Sequence, residues 1–184
     1  MSDPQPPEAV KLIVSLFSGE RRLLDEALEA LAEQYGRADF ISAPMSFPYT
    51  DYYEKEFGAS LMRRFVAFER LIRPETLPEV KIWTNALEKR LAAEEIRRVN
   101  IDPGYLAGAH LILATGKGYA HRPCLRDGIY ADLTLVYRER SFRPLPWTYP
   151  DYAGEEAIGM LTRIRDKYLL QLKGKSDGVR SIRR

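Results

Sequence analysis

Between residues 97 and 132 the chain gathers most of the side chains that could do chemistry: Asp102, Lys117, His121, Arg122, Arg126 and Asp132. An imidazole titrates near neutrality, so His121 is the candidate general acid or base. Guanidinium forks pair with phosphate or carboxylate through two parallel hydrogen bonds, which makes Arg122 and Arg126 the candidate anion grip. Lys117 would add a point charge. Asp102 and Asp132 would orient a ligand or a magnesium ion, the turn at Gly104 would line the site, and Tyr130 would offer an aromatic face. The chemistry these types suggest is binding, with or without turnover, of a small anionic or phosphorylated ligand at one end of a sheet.

Other chemistries fit the spacing less well. A phosphate loop needs Gly, four residues, then Gly-Lys and Ser or Thr. In LILATGKG, position 111 is Leu where the first glycine belongs and position 118 is Gly where the hydroxyl belongs. The segment therefore reads as a strand end and a flexible turn. Structural zinc asks for several Cys and His ligands, and the chain has one Cys and two His. A carboxylate site for magnesium would need Asp102, Asp132 and Glu56 to converge, so no metal ligand is assigned. Cys124 lies three residues after His121 but reads as an ordinary loop thiol. YAHRPCLRDG, between two strands, is longer than a tight hairpin needs, and long connections are more often functional.

Two further function classes stay open. Tyr49, Tyr52, Tyr53, Phe57, Tyr105, Tyr119 and Tyr130 could stack bases, and the tail KGKSDGVRSIRR is basic, so a nucleic-acid adaptor is the first alternative. Its mark would be an affinity that falls steeply with salt. A protein-interaction module joined through a sheet edge is the other, and the oligomeric state is open.

The net charge of +2 over 184 residues does not announce a nucleic-acid binder, and no apolar run approaches a membrane span. The opening MSDPQPPEAV has two acids and three prolines where an export signal needs a basic start and an apolar core. With a single cysteine, the expectation is a cytoplasmic protein that uses no membrane.

These side chains must be held by an ordered frame. The expected domain covers residues 10–172, between a disordered lead (1–9) and a flexible basic tail (173–184). VKLIVSLF reads as a buried strand. Leu24, Leu28, Leu31 and Tyr35 make one face of a helix that Gly36 ends. DFISAPMSFPY reads as an edge strand because of its prolines, and RFVAFERLI as a strand stopped by Pro74. A second helix from about Pro78 carries Val80, Trp83, Leu87 and Leu91. VNIDPGYL is extended chain broken by a turn at Asp102-Pro103-Gly104, followed by the strands HLILATG and GIYADLTLVYR. PLPWTYPDY reads as a rigid extended segment with Trp147 and Tyr149 packed back on the domain. A last helix spans Glu155–Leu172. The order predicts an α+β fold: a mainly antiparallel sheet with a ferredoxin-like βαββαβ core, an added C-terminal hairpin and a C-terminal helix, with the helices on one face.

VKLIVSLFSG, YTDYYEKEFG, RRFVAFERLI, RRVNIDPGYL, LATGKGYAHR, DGIYADLTLVY and PWTYPDY, in that order from about residue 9 to 170, resemble an uncharacterised prokaryotic family, domain of unknown function 4416. The resemblance implies a compact single-domain cytoplasmic protein and no established activity. Some members carry a GTP-binding label. This chain has neither a complete phosphate loop nor an Asn-Lys-x-Asp segment.

Overall fold

The computed structural model describes residues 2–46, 61–94 and 96–182. The apolar runs form strands β1 (Lys11–Ser18), β2 (Ala38–Ile41), β3 (Met45–Ser46), β4 (Met62–Phe68), β5 (Asn100–Leu106), β6 (His110–Thr115), β7 (Cys124–Arg126), β8 (Ile129–Arg138) and β9 (Ser141–Pro144). They join in one sheet, in the order β2-β4-β1-β5-β6-β8-β7, with β3 on β4 and β9 on β8. Every pairing is antiparallel. β4 therefore lies between β1 and β2, the strands that flank helix α1 (Arg21–Tyr35). β1 likewise lies between β4 and β5, the strands that flank helix α2 (Leu77–Arg90). The molecule is an α+β protein built on a large antiparallel sheet. A short helix α3 (Pro150–Ala153) and helix α4 (Glu155–Ile182) complete it.

Alternation in β1 sorts the core. Leu12, Val14 and Leu16 face α1 and α2, where Leu24, Ala27, Leu31, Val80 and Leu87 cover them. Ile13 belongs to the opposite face, with Phe65, Ala67, Leu111 and Leu135, under Met160, Leu161, Ile164 and Tyr168 of α4. The helices are thus not all on one face, as the sequence suggested. All eight residues of β1 are buried, and a strand apolar on both sides must be covered on both. α4 also continues through Ile182, past the expected end at Leu172. Backbone hydrogen bonding can propagate a helix where the apolar stripe has already run out.

Three local expectations are revised. Asp102-Pro103-Gly104 is not a turn: β5 runs straight through it, paired with β1 from Asn100 to Leu106. Pairing with β6 begins only at Gly104. Pro103 has no N–H to give, so it marks where the ladder on that side stops. The connection YAHRPCLRDG is not all loop either. Its second half is strand β7, returning into β8 through a two-residue turn with Asp127 at φ 54° and Gly128 at φ 73°. Two successive positive φ values match the strand twist, which is why Asp-Gly favours such hairpins. Finally, the expected alternation in β8 is broken by a bulge opposite Leu111/Ile112, so Asp132, Thr134 and Leu135 are all buried.

Candidate functional site

One face of the sheet is core under α4 at one end and polar at the other. Register places Ser15 opposite both Phe65 and Asp102, and Phe17 opposite both Arg63 and Asn100. Leu113 pairs with Gly104 and with Asp132. Arg63, Asn100, Asp102 and Asp132 therefore rise from the same face as the core residues Phe65 and Leu113. Where the apolar residues end, a cavity of about 750 Å³ opens, within the range of small-molecule sites. Five cationic side chains line it (Arg63, Lys81, Arg97, Lys117 and Arg122), against four carboxylates (Glu88, Asp102, Asp132 and Asp151).

The wall toward α2 follows from Pro103. Ile101, two residues earlier, faces the same side and has no partner on β6. Its N–H instead donates to Glu88 Oε1 at 2.5 Å, and its carbonyl accepts from Lys81 Nζ at 3.0 Å. Lys81 and Glu88 are two helical turns apart on one face of α2, with Asn85 between them. Lys81 also reaches Asp102 (3.3 Å), Asn100 Nδ2 donates to Asp102 (2.5 Å), and Arg97 donates to Asn100 Oδ1 (2.8 Å).

Burial pushes the Glu88 carboxyl above the ordinary glutamate range, with the Asp102 charge adding to the shift and Lys81, the Ile101 amide and Arg97 opposing it. A carboxyl that binds its proton more tightly when folded contributes stability below its unfolded pKa and loses it as pH rises through the folded value. Glu88→Gln keeps an acceptor for the Ile101 amide and removes the titration. Relative to this variant, the wild-type protein is expected to lose stability as pH rises from about 4 toward neutrality, read by urea unfolding across that range. Parallel profiles would show that Glu88 titrates as it does in the unfolded chain.

The floor is Arg63, buried at 3% exposure. It donates to Ser15 Oγ (2.7 Å), pairs with Asp151 of α3, and lies 4.4 and 4.5 Å from the ring centroids of Phe65 and Tyr152. The segment before α3 is fixed to β8: Trp147 Nε1 donates to Leu133 O (2.9 Å), and Thr148 Oγ1 donates to Thr134 O while accepting from Leu145 N–H. Tyr149, Pro150, Asp151 and Tyr152 thereby form a wall. PWTYPDY is held to the domain by these hydrogen bonds, with a helical turn inside it, but Trp147 and Tyr149 stay exposed, at 38% and 52%, instead of packing in as the sequence suggested.

On the remaining side, Arg122 Nε donates to the buried Asp132 at 2.8 Å. Its Nη1 donates to Lys117 O (3.2 Å) and its Nη2 to Tyr149 Oη (3.3 Å). Asp132 Oδ2 is also 3.8 Å from His121 Nε2, and the imidazole stacks on Trp147 with centroids 4.8 Å apart. That Nε2 is buried and makes no hydrogen bond among the described residues.

Of the residues expected at a site, Asp102, Lys117, Arg122 and Asp132 line the cavity together. His121 stands behind Asp132. Gly104 does not line it: a Cβ there would lie 2.4 Å from Ile112 O, so the glycine permits close approach of β5 to β6. Arg126 pairs with Glu79 of α2 and with Asp127 rather than joining Arg122. Tyr130 lies against Gly118. Glu56 and Tyr49, Tyr52, Tyr53 and Phe57 lie outside the described residues, among which no group of three or more His, Cys, Asp or Glu could hold a metal ion. Nor is any helix among the described residues long and apolar enough to cross a membrane.

Sequence reading missed Arg63, Lys81, Asn85, Glu88, Arg97 and Asp151. Lys81, Asn85 and Glu88 had a signal in their helical spacing beside the apolar stripe. Arg63 is set by strand register, Arg97 by the chain entering β5, and Asp151 by the path of the segment that leads into α3.

Fold and cavity together define an α+β protein with a charge-rich pocket at one end of its sheet. The family model described as a domain of unknown function (DUF4416) matches residues 8–168, and the chain belongs to that family. No curated protein and no solved structure matches it.

Proposed function

We propose that this protein binds a small anionic ligand in the cavity between β5, β8, α2 and α3. One observation carries the reading: five cationic side chains, from β4, α2, the chain before β5, the turn after β6 and the chain before β7, meet around one cavity of ligand size. The five cations outnumber the four carboxylates of the same wall, and Arg63, Lys81 and Arg122 are shielded from bulk water, where a charge attracts an anion more strongly than an exposed one does. Arg122 and Lys117 grip the anion in this reading, and Asp132 fixes the Arg122 fork. His121, behind Asp132, is the proton carrier if the bound ligand is turned over. Asp102 contacts the ligand directly. A magnesium ion would enter this reading as the counter-ion of a phosphorylated ligand.

The test is a thermal-shift and calorimetric screen of the intact protein against phosphorylated and carboxylated metabolites. A ligand at about 100 times its Kd adds about 2.7 kcal/mol of stability, several degrees in Tm for a chain of this size. Lys117→Ala and Arg122→Lys are each expected to weaken binding about tenfold while leaving the fold intact. Anions that bind with unchanged affinity to both variants would place the site elsewhere. If nothing anionic binds the folded protein, the reading is lost.

A further inference from the structure

The polar groups around the cavity form two sets with different chemistry. Lys117 and Arg122 stand with Tyr149 at the turn after β6. A guanidinium has five N–H donors. Three of those on Arg122 are committed to Asp132, Lys117 O and Tyr149, leaving two for a ligand. The second set, on α2 and β5, is Asn85, Glu88, Asn100 and Asp102, with Lys81 and Arg97 bonded into it. An anion placed there would face two carboxylates. Hydroxyl groups suit it better, because each can donate to a carboxylate or amide oxygen and accept from an amide N–H. The Asp102 side chain is 36% exposed, and its two oxygens accept one bond each, from Lys81 and from Asn100, so lone pairs remain. A bare inorganic anion would leave most of the 750 Å³ and this second set unused.

We infer that the ligand is a phosphate monoester of a polyol, a sugar phosphate in the broad sense: phosphate toward Lys117 and Arg122, hydroxyl-bearing body over Asn85, Asn100 and Asp102. The inference rests on the anion-binding reading above and adds the hydroxyl-reading wall.

Calorimetry with four kinds of probe separates the two: ribose 5-phosphate and glucose 6-phosphate, propyl phosphate with the same head and no hydroxyls, inorganic phosphate, and the free sugars. At least one sugar phosphate is expected to bind about tenfold or more tighter than propyl phosphate or inorganic phosphate, the worth of one or two well-made hydrogen bonds. Asn85→Ala should erase much of that advantage while leaving propyl phosphate affinity unchanged, and Asp102→Asn, which also removes a negative charge felt by every anion, should lower the ratio of sugar-phosphate to propyl phosphate affinity. Lys117→Ala should weaken both esters alike. Equal affinity for propyl phosphate and the sugar phosphates would overturn the inference and leave anion binding standing. So would binding of carboxylates in place of phosphates. Silence from every anion, with the protein folded by circular dichroism, would overturn both.

Discussion

Arg63→Met is expected to lower stability by about 3–5 kcal/mol, the cost of leaving one partner of a buried ion pair behind. The stranded group is Asp151, whose side chain is 14% exposed against 4% for Arg63. Ser15 would lose its donor, and the rings of Phe65 and Tyr152 would lose the cation between them. Because Asp151 belongs to the short helix that carries the cavity wall, the same substitution should weaken anion binding as well. The double variant Arg63→Met/Asp151→Asn removes the uncompensated charge and should recover part of the loss. Urea unfolding of the wild type, both single variants and the double variant makes a complete cycle. Strictly additive single effects would show that the two side chains do not act as a pair.

Gly104→Ala is expected to cost about 1–3 kcal/mol, or more if the strands cannot part. The new Cβ would meet Ile112 O at 2.4 Å and Leu113 Cδ2 at 2.7 Å. A backbone oxygen in a ladder cannot move aside as a flexible side chain can, and β5 and β6 are paired only from Gly104 to Leu106. Relief must come from spreading that seam, which also borders the cavity. Gly108→Ala is the control, with its closest neighbour, Leu169 Cδ2, at 3.8 Å. A Gly104→Ala protein with the wild-type unfolding midpoint would mean that the seam opens freely.

Elements with one clear apolar stripe are legible in the sequence. α1 ends at Tyr35 with Gly36 at φ 89°, and α2 begins beside Pro78, as the spacing and caps require. What failed were the places where a local signal has two physical meanings. Asp-Pro-Gly is a turn signal in isolation, yet in β5 the proline sits where the ladder to β6 has stopped and the glycine where that ladder begins. Arg126-Asp127-Gly128 closes what reads in the sequence as one long connection, although Asp-Gly is a strong hairpin signal. The site was half legible for a related reason. Asp102, Lys117 and Arg122 stand out in the sequence as charged residues near turn signals, and Asp132 as an acid inside a strand. Arg63 and Asp151 are far apart in sequence and meet only through the pairing of β4 with β1 and the path of PWTYPDY over β8. Arg126, close to Arg122 in the chain, is carried away by the hairpin twist and ends on Glu79.

The helix side chains that stand in for a missing strand beside Ile101 give the molecule a built-in reporter. An amide bonded to a carboxylate of the cavity wall, instead of to a neighbouring strand, exchanges its hydrogen whenever Glu88 swings away, without the sheet coming apart. Whatever occupies the cavity and presses on Glu88 or Lys81 changes that local opening. The Ile101 amide should therefore register occupancy in its exchange rate, while the amides of β1, locked between β4 and β5, keep time with global unfolding.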